Sequence, residues 1–567
     1  MIRIVKRGIA VLCLGIALSS CGTTPTAEHY DTIIRGGDIY DGLGNAPVQA
    51  DVAFSDDRIA KIGDLADATA TIEIDATGMA VSPGFINMLS WATESLIEDG
   101  RGMSDIKQGV TLEVMGEGWS MGPLNDQLRA VATARQGDIK FDITWNTLGE
   151  YLEFLENKGI SPNVASYVGA TTLRILEVGL DDTRATPEQL ARMQDHVRVA
   201  MREGAIGVGS SLIYAPAFFA DTDEMIALVS AAAEYGGRYI SHIRNEGNRL
   251  EEAVAELIEI SRETGAPAEI YHLKAAGQSN WNKLENVFGM IEAARAEGLA
   301  ITADMYTYTA GATGLDAAMP LWVQEGGNED WFKRLEDPEM RARVIAEMRT
   351  DQDDWENLMH HAGPDGVLFI GFRNPDLRHL IGKTLQEVAD MRGLTPAETA
   401  IELVVEDRSR VDTVYFLMSE ENVAKKVAKP WVSFGSDAEA SAPEGVFLNS
   451  SSHPRAYGTF ARVLGKYSRD EGVIPLHEAI RKMTSLPAAN TGIRDRGQLT
   501  EGYYADVVIF DPRTIADHAT FEDPLQYATG MQHVFVNGEQ VLRDGEHTGA
   551  MPGRVVRGPG WIGWEDQ

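Results

Sequence analysis

Apolar and polar residues alternate with a period of two in both terminal parts of the chain. Three such stretches follow Tyr30, namely DTIIRGGDIYDG, ADVAFSDDRIAKIG and TIEIDATGMAVSPG, and glycine, aspartate and asparagine residues separate them. The same alternation of apolar and polar residues recurs at 505–512 (ADVVIFDP) and 532–546 (QHVFVNGEQVLRDGE). Strict alternation predicts half-buried β-strands. We therefore expect residues 30–84 and 488–567 to form one small β-sandwich domain, with the middle of the chain inserted into it.

Between residues 85 and 487, short apolar runs alternate with helical stretches. The runs include VTLEVMG, NVASYVG, AIGVGS, RYISHI, AEIYHLK, AITADMY and WVSFGSD. Recurrent strand and helix units predict an α/β fold with parallel strands, and seven or more units favour a closed, TIM-like (β/α)₈ barrel. Residues 315–415 lack this rhythm and carry many charges. We expect them to form an inserted helical subdomain before the last barrel strand, in a position where a lid could lie.

The charge balance excludes one class of partner. The 567 residues contain 50 Lys plus Arg against 85 Asp plus Glu, a formal net charge of −35. Such a protein repels a phosphate backbone, so nucleic acid is not expected as a partner. Apolar residues make up 44% of the chain, as in ordinary globular proteins. The two cysteines, Cys13 and Cys21, leave no disulfide framework to support the body of the protein.

Residues 1–21 have the layout of a secretory signal. Three cations precede an apolar run over 9–18 that is too short and wrongly flanked for a spanning helix. The sequence LSSCG resembles a bacterial lipobox, in which Cys21 becomes the lipidated first residue of the mature chain. We expect a lipoprotein signal peptide over 1–21, a polar tether over 22–29, and a protein held in the bacterial cell envelope by its lipid anchor, facing the periplasm. Gly22 favours the outer membrane. A secreted protein with an unmodified cysteine and an uncleaved anchor are the alternatives.

Four polar residues follow apolar runs, where the strands of the predicted barrel end. Glu117 follows VTLEVMG, His242 follows RYIS, His272 follows AEIY and Asp437 follows WVSFGS. Active sites of (β/α)₈ barrels lie at the carboxyl ends of the strands. Two imidazoles and two carboxylates that converge there suit a borderline-soft cation, foremost zinc, with a position left open for water. Taken singly, each residue has a structural alternative: a hydrogen-bonded core histidine or a carboxylate that caps a helix.

Longer motifs carry a family resemblance. They run from GGDIYDG, DDRIAKIG and IDATGMAVSPGFI through GVTLEVMGEGWSMGPL, SHIRNE, YHLKAAG, DMYTYTAG and GSD to HPRAYGTF, RKMTSLPA and DRGQLTEGYYADVVIFDP. In this order, and over about residues 31–557, the chain resembles the N-acyl-D-amino-acid deacylase (D-aminoacylase) branch of the metal-dependent amidohydrolase superfamily. The resemblance implies the β-domain and the barrel of that superfamily.

The resemblance also implies roles for individual residues. It makes His242 and His272 zinc ligands, and Glu117 falls where many relatives place a bridging cysteine. Asp437 matches the aspartate that serves as general base and acid. Arginine suits the recognition of a carboxylate because its fork can donate two parallel hydrogen bonds. Three residues fall on positions that bind the substrate carboxylate in the family: Lys274, Tyr306 and Arg455.

The first predicted barrel strand departs from the superfamily pattern. After PGFI the superfamily has Asp-x-His-x-His, whereas this chain has Asn87, Leu89 and Trp91 at those places. No histidine occurs between His29 and His196. If only a second metal position is lost, Glu117, His242 and His272 still form a zinc site with room for water. The protein is then a hydrolase that uses one metal ion. If this strand must orient water or substrate, the protein is a binder or has altered chemistry.

Together these features predict zinc-dependent hydrolysis of the amide bond of N-acyl-(D-)amino acids, which releases a carboxylic acid and the free amino acid. The preference for the D enantiomer comes from the resemblance alone. The expected cofactor is one tightly bound Zn²⁺, and the expected partner is a small N-acyl amino acid. Hydrolysis of a dipeptide or a cyclic amide, a catalytically inactive lipid-anchored binding protein, and a structural envelope protein without metal are the alternatives.

Four further residues have weaker signals. Tyr214, in GVGSSLIYAPAFFADTDE, either lines the pocket or serves in packing. His453, in HPRAYG, either supports the site or is an ordinary helix-cap or loop histidine. His360 and His361 lie in the acidic insertion without ligand spacing, and we assign them to the surface or to a lid.

Overall fold

A computed structural model of the protein describes residues 28–566. The expected signal peptide over 1–21, the expected lipidation site Cys21 and most of the tether over 22–29 lie outside these residues. Across the described part of the chain, no helix combines the length and the apolar character needed to cross a membrane.

Twenty β-strands lie within residues 28–566 and form four sheets. Their bounds are β1 (His29–Ile39), β2 (Val48–Ser55), β3 (Arg58–Gly63), β4 (Thr69–Asp75), β5 (Ala80–Pro83), β6 (Phe85–Asn87), β7 (Val110–Met115), β8 (Asn163–Ser166), β9 (Val168–Gly169), β10 (Gly207–Ser211), β11 (Arg238–His242), β12 (Ala268–Ile270), β13 (Ile301–Ala303), β14 (Ala310–Gly314), β15 (Val367–Gly371), β16 (Asp412–Phe416), β17 (Val507–Phe510), β18 (Met531–Val536), β19 (Glu539–Arg543) and β20 (Glu546–His547).

Eighteen α-helices lie within the same residues, and a π-helix, Val463–Asp470, continues α16. Their bounds are α1 (Ser95–Glu98), α2 (Met103–Ile106), α3 (Asp126–Arg135), α4 (Leu148–Lys158), α5 (Ala170–Glu177), α6 (Pro187–Arg202), α7 (Thr222–Ala233), α8 (Leu250–Thr264), α9 (Lys283–Ala296), α10 (Asn328–Glu336), α11 (Pro338–Met348), α12 (Leu358–Ala362), α13 (Leu385–Arg392), α14 (Pro396–Asp407), α15 (Glu420–Val427), α16 (Arg455–Arg462), α17 (Leu476–Met483) and α18 (Ser485–Thr491).

A nine-stranded sheet joins the N-terminal and C-terminal parts of the chain. Its order is β20-β19-β18-β17-β5-β1-β2-β3, with β4 paired to β1. β17 runs antiparallel to β5, and Val508 lies opposite Ser82. Phe54 and Phe535 pack edge to face with ring centroids 5.3 Å apart, in a core that both parts of the chain supply. The apolar positions of the alternating stretches form this core, because successive side chains of a strand point to opposite faces.

The parallel strands that carry the site form a ring. β6, β7 and β8 form one parallel sheet, and β9 to β13 form another. Two isolated parallel bridges connect the ends of these sheets through the segment 432–438. Ala303 of β13 pairs with Val432, and Ala438 pairs with Ser90, which follows β6. Helices such as α7, α8 and α9 pack against these strands. Strands covered in this way are buried and read as nearly continuous apolar runs.

The long helix α6 shows how the sequence builds the helical layer. Thr186 accepts a hydrogen bond from the Gln189 backbone N–H, the Gln189 side chain accepts one from the Thr186 N–H, and Pro187 occupies the first turn. This capping box satisfies backbone donors that a helix start would otherwise leave unpaired. The buried residues Met193 and Val197 lie on one face, four positions apart. An apolar stripe at this spacing directs the helix onto the strands.

The expected insertion over 315–415 is mixed rather than helical. Besides α10 to α14, it contains β15 and β16, which form a three-stranded antiparallel sheet with β14. The runs VLFIG and DTVYF have strand length, but charged segments on either side hide them in a coarse pattern. Trp331 and Phe332 belong to an apolar cluster separate from that of the parallel ring. The insertion therefore packs around an apolar cluster distinct from that of the ring, and Tyr306 and Tyr308, which precede the insertion, also belong to this cluster.

Candidate metal centre and active-site cavity

The four residues predicted to carry the chemistry meet where parallel strands end. Glu117 lies two residues beyond β7, His242 is the last residue of β11, and His272 lies two residues beyond β12. Asp437 lies on the segment that bridges back to Ser90. All four predicted side chains are buried. Carboxyl ends of neighbouring parallel strands share one edge, so residues distant in sequence become neighbours in space.

Glu117, His242 and His272 form a compact group, which we call the ligand cage. Glu117 Oε1 lies 3.0 Å from His242 Nδ1 and 3.0 Å from His272 Nε2. The two imidazole rings pack edge to face with centroids 4.3 Å apart. One ligand atom of each residue lies within 4.8 Å of the other two, and no other group of three among residues 28–566 satisfies this distance.

The donor set of the cage fits a zinc ion. Two imidazole nitrogens and one carboxylate oxygen, with a fourth position for water, are ligands that catalytic zinc takes in proteins. Burial raises the pKa of Glu117, but hydrogen bonds from the two histidines outweigh it and lower the pKa well below the ordinary value. Burial lowers the pKa of His242, but the charge of Glu246 and the hydrogen bond with Glu117 raise it to about 9. The cage therefore attracts positive charge.

A buried carboxylate, Glu246, contacts both histidines on the side away from Glu117. Glu246 Oε1 lies 3.2 Å from His272 Nδ1, and Glu246 Oε2 lies 3.5 Å from His242 Nε2. Lys274 Nζ lies 2.7 Å from Glu246 Oε1 and 2.7 Å from His272 Nδ1. Burial raises the pKa of Glu246, but the charges of Lys274 and the histidines lower it well below the ordinary value. A carboxylate at the outer nitrogens fixes the orientation of metal-binding histidines.

Asp437 is held at both carboxylate oxygens beside the cage. Asp437 Oδ2 lies 2.6 Å from Arg455 Nη1, and Asp437 Oδ1 accepts a hydrogen bond from Trp91 Nε1 at 3.2 Å. Its backbone φ is +51°, and that of His272 is +34°, in the left-handed region that strains residues other than glycine. Burial raises the pKa of Asp437 despite the opposing charge of Arg455. A strained, buried carboxylate with a raised pKa beside metal ligands is suited to act as a general base.

Two adjacent side chains in the same cavity, Tyr306 and Arg455, carry buried donors without a hydrogen-bond partner among residues 28–566. These donors are Tyr306 Oη, Arg455 Nε and Arg455 Nη1, of which Nη1 contacts Asp437 Oδ2 as an ion pair but not as a hydrogen bond. The guanidinium carbon of Arg455 lies 4.6 Å from the centre of the Tyr306 ring, so the two side chains are adjacent. Buried polar groups normally have partners. These donors are therefore suited to hold an anionic group of a ligand, such as a carboxylate.

The chain matches known proteins over most of its length. The Amidohydrolase family matches residues 73–542. The chain belongs to the amidohydrolase family. The resemblance to this family that the sequence motifs predict is thereby confirmed.

This amidohydrolase is similar to the D-aminoacylase of Alcaligenes xylosoxydans xylosoxydans, with 34% identity over 94% of this chain and 98% of the relative. The N-acyl-D-glutamate deacylase of the same organism is 31% identical over 94% of this chain and 97% of the relative. A crystal structure of D-aminoacylase matches with a TM-score of 0.76 and 33% identity, covering 93% of this chain and all of the other. The N-acyl-D-glutamate deacylase of Bordetella bronchiseptica, complexed with zinc and a phosphonate mimic of the tetrahedral intermediate, matches with a TM-score of 0.77 and 30% identity over 94% of this chain and 100% of that one.

The first strand of the ring in this amidohydrolase supplies no imidazole to the cage. Asn87 Nδ2 donates a hydrogen bond to the buried carboxylate of Glu113 at 2.9 Å. Leu89 packs in an apolar cluster inside the ring. Trp91 Nε1 donates to Glu117 Oε2 at 2.9 Å. Trp91 therefore reaches the cage as a hydrogen-bond donor and not as a metal ligand.

Tyr214 and His453 both lie close to the site. The Tyr214 ring packs edge to face on His242, with centroids 5.1 Å apart, and lines the cavity. His453 Nδ1 accepts the Arg455 backbone N–H at 3.0 Å, and His453 Nε2 lies 2.9 Å from the Ala310 carbonyl oxygen. His453 therefore supports the first turn of α16, which carries Arg455.

The insertion reaches the site through a residue that sequence reasoning missed. Glu356 Oε2 accepts the Glu246 backbone N–H at 2.7 Å, and burial and the charge of Glu246 raise the pKa of Glu356 to about 7. Nothing in the acidic run DQDDWEN distinguishes Glu356 from a solvated surface residue. Glu246 was also missed, although it follows His242 by four positions in SHIRNE. His360 is exposed, whereas the His361 side chain is only 3% exposed.

The cage, Asp437 and the free donors of Tyr306 and Arg455 open into one cavity of about 820 Å³. Its wall comes from the ends of the parallel strands and from the insertion, including Arg410 and Asp412. A cavity of this size accommodates a small ligand.

Proposed function

We propose that the chain is a zinc-dependent deacylase of N-acyl-D-amino acids that uses one metal ion. The observation that carries the proposal is the placement of the ligand cage, Asp437, and the free donors of Tyr306 and Arg455 in one buried cavity. Metal-dependent hydrolysis of an amide beside a carboxylate uses metal ligands, a base and an anion anchor within reach of each other. The names of the relatives, D-aminoacylase and the N-acyl-D-glutamate and N-acyl-D-aspartate deacylases, support this substrate class and the D enantiomer.

In this proposal Glu117, His242 and His272 hold the ion. When bound, a zinc ion supplies polarisation of the amide carbonyl and activation of water at neutral pH. Asp437 accepts the proton of the attacking water and delivers it to the amine nitrogen as the carbon–nitrogen bond breaks. One carboxylate acts first as base and then as acid. The products are a carboxylic acid and the free amino acid.

Arg455 and Tyr306 hold the substrate carboxylate. Their free donors are adjacent, and Arg455 is also paired with Asp437, so the anchor and the base are joined by one side chain. Fixed separation between the anchor, the base and the cage decides which enantiomer presents its acyl group correctly. Lys274 contacts Glu246 and His272 with its ammonium group and keeps a third N–H donor for the substrate carboxylate.

The residues of the first strand support a single ion. Leu89 is apolar, the indole of Trp91 can only donate, and Asn87 is engaged by Glu113. D-aminoacylase has been described with a binuclear centre in which one metal activates and the second attenuates. We expect elemental analysis of this protein to find one zinc per chain. Two ions per chain would contradict the one-ion proposal, and none would favour a structural envelope protein.

The direct test is amine release from paired N-acetyl-D- and N-acetyl-L-amino acids in the presence of zinc. We expect release from the D series, and an Asp437→Asn variant that binds substrate but is slower by about 10²- to 10⁴-fold, the range for loss of a general acid–base group. Release from neither series, with zinc bound, would favour a dipeptide or cyclic amide substrate, or a binding protein without turnover.

We infer that the ring of parallel segments is a (β/α)₈ barrel over 85–487, interrupted by the insertion over 315–415, beside a β-sandwich domain built from 30–84 and 488–567. The two closing bridges support eight segments, in which β8 and β9 count as one. The position of the cavity at the carboxyl ends of the strands agrees with this architecture.

We also propose that the protein is lipid-anchored in the cell envelope through Cys21 and faces the periplasm from the outer membrane. The lipobox-like LSSCG after an apolar run supports this location. Cells labelled with radioactive palmitate should show label in the wild-type chain and none in a Cys21→Ala variant. Equal labelling of both chains would contradict the proposal.

A further inference from the structure

The Trp91 side chain lies between two carboxylates of the site. Its Nε1–H donates to Glu117 Oε2 at 2.9 Å and to Asp437 Oδ1 at 3.2 Å. The indole is partly buried and lines the cavity. A single donor thus serves both a residue of the ligand cage and the proposed base.

Backbone hydrogen bonds hold Trp91 and Asp437 on neighbouring segments. The Asp437 N–H donates to the Leu89 carbonyl at 2.8 Å, and the Trp91 N–H donates to the Ala438 carbonyl at 2.9 Å. On the other side of the carboxylate, Asp437 Oδ2 lies 2.6 Å from Arg455 Nη1. Because a different fixed group holds each oxygen, the carboxylate of Asp437 cannot rotate freely.

The contact with Trp91 also opposes an electrostatic repulsion. Glu117 and Asp437 are like charges at a buried site, where Coulomb repulsion is stronger than in water. Without a donor between them, attraction to Arg455 would turn Asp437 away from the cage. An indole N–H can only donate, and it neither ionises in the physiological range nor binds a cation. Trp91 therefore acts as the hydrogen-bond donor to both carboxylates under all physiological conditions.

We propose that Trp91 is a positioning residue, whose shared N–H hydrogen bond fixes Asp437 Oδ1 at the edge of the ligand cage. The role rests on the proposed function, since Asp437 serves as base only if the protein hydrolyses an amide. Trp91 itself makes and breaks no bond. It acts on the rate through the orientation of Asp437.

The test is a double-mutant cycle between Trp91 and Asp437. Trp91→Phe keeps an aromatic ring and removes the N–H. We expect kcat to fall by about 10- to 100-fold and KM to change by less than about twofold, because misorientation of a catalytic group costs rate more than binding. Zinc content should stay at the wild-type value. In an Asp437→Asn background, Trp91→Phe should have no further effect, since a positioning residue acts only through the group that it positions.

Trp322→Phe is a matched control. The indole of Trp322 donates to Glu347 Oε2 at 3.0 Å, so the variant also loses a hydrogen bond from an indole to a carboxylate, but outside the cavity. We expect it to keep the wild-type kcat. If Trp91→Phe does not fold, benzothienylalanine at position 91 replaces the N–H by sulfur in a ring system of the same shape, and the same cycle applies.

Several results would overturn the positioning role. They are an unchanged kcat, equal losses of kcat in both backgrounds, a raised KM at constant kcat, or loss of zinc from the Trp91→Phe variant. A wild-type protein that binds zinc but releases no amine would overturn the proposed function and the positioning role with it. An active wild type beside an unaffected Trp91→Phe variant would overturn the positioning role alone.

Discussion

Lys274 Nζ lies 2.7 Å from Glu246 Oε1, and each of the two residues is only 5% exposed. A buried ion pair is tolerated when further hydrogen bonds satisfy its members. Glu246 meets this condition through its contacts with both cage histidines. The pair therefore braces the cage, and it leaves one of the three N–H donors of Lys274 for the substrate carboxylate that the family resemblance assigns to this lysine.

Glu246→Gln tests this bracing role. The amide keeps the shape of the side chain but loses the charge that the imidazoles face. We expect the affinity for zinc to fall by about 10- to 100-fold, as for other groups that orient metal-binding histidines. Competition with a chromophoric chelator measures the change. Glu256→Gln is the control, because Glu256 Oε1 pairs with Arg244 Nη2 at 2.8 Å and does not belong to the cage. Unchanged zinc affinity in Glu246→Gln would refute the bracing role.

Zinc affinity should also depend on pH through His242. Its pKa is raised to about 9 because the charge of Glu246 and the hydrogen bond with Glu117 outweigh burial. Below that pH zinc must displace a proton, so affinity should rise by about tenfold per pH unit up to about pH 9 and then level off. Chelator competition at pH 6, 7 and 8 measures the slope. In the Glu246→Gln variant the zinc affinity should stop rising at a lower pH, because the charge that raises the pKa of His242 is gone. The same dependence of affinity on pH in both proteins would contradict the influence of Glu246 on His242.

Tyr306→Phe tests the carboxylate anchor. Tyr306 Oη has no partner among residues 28–566, so the folded protein loses no hydrogen bond in the variant. If Tyr306 binds the substrate carboxylate equally in the ground and transition states, KM should rise by about 10- to 100-fold at nearly constant kcat. Tyr308→Phe is the control, since Tyr308 Oη donates to Asp517 Oδ2 at 3.2 Å outside the cavity. A fall in kcat at constant KM would show a different role for Tyr306.

Glu113 should make the stability of the protein fall with rising pH. Burial raises the pKa of Glu113 from 4.5 to about 7 in the folded protein. Between these values the folded state keeps a proton that the unfolded chain has lost, so the free energy of unfolding decreases as pH rises. The amide in the Glu113→Gln variant cannot ionise. The free energy of unfolding of this variant should therefore fall less steeply with pH than that of the wild type, by up to about 1.4 kcal/mol per pH unit.

Denaturant unfolding at pH 5, 6 and 7 measures the slope for Glu113→Gln and for the wild type. Glu98→Gln is the control, because Glu98 is an exposed carboxylate at the end of helix α1. The two variants should differ in slope, and equal slopes would argue against a buried proton on Glu113.

Most of the candidate site was predictable because its residues follow local rules. Glu117, His242, His272 and Asp437 all come directly after apolar runs, and the carboxyl ends of parallel strands must share an edge. Glu356 was not predictable, because its contact with Glu246 exists only where the insertion folds onto the loop after β11. The strands of the insertion were missed for a related reason: they are short, and charged helices surround them.

Local patterns in the chain were sufficient to establish its division into β-rich terminal parts and an α/β centre, the residue types of the cage and the lack of first-strand imidazoles. Each of these follows from periodicity or side-chain chemistry within a few residues. Three-dimensional contacts were needed to show that Lys274 pairs with Glu246, and that Trp91 donates to Asp437 across 346 positions of sequence. A hydrogen bond depends on placement to within a few tenths of an ångström, and only the packed backbone sets that placement.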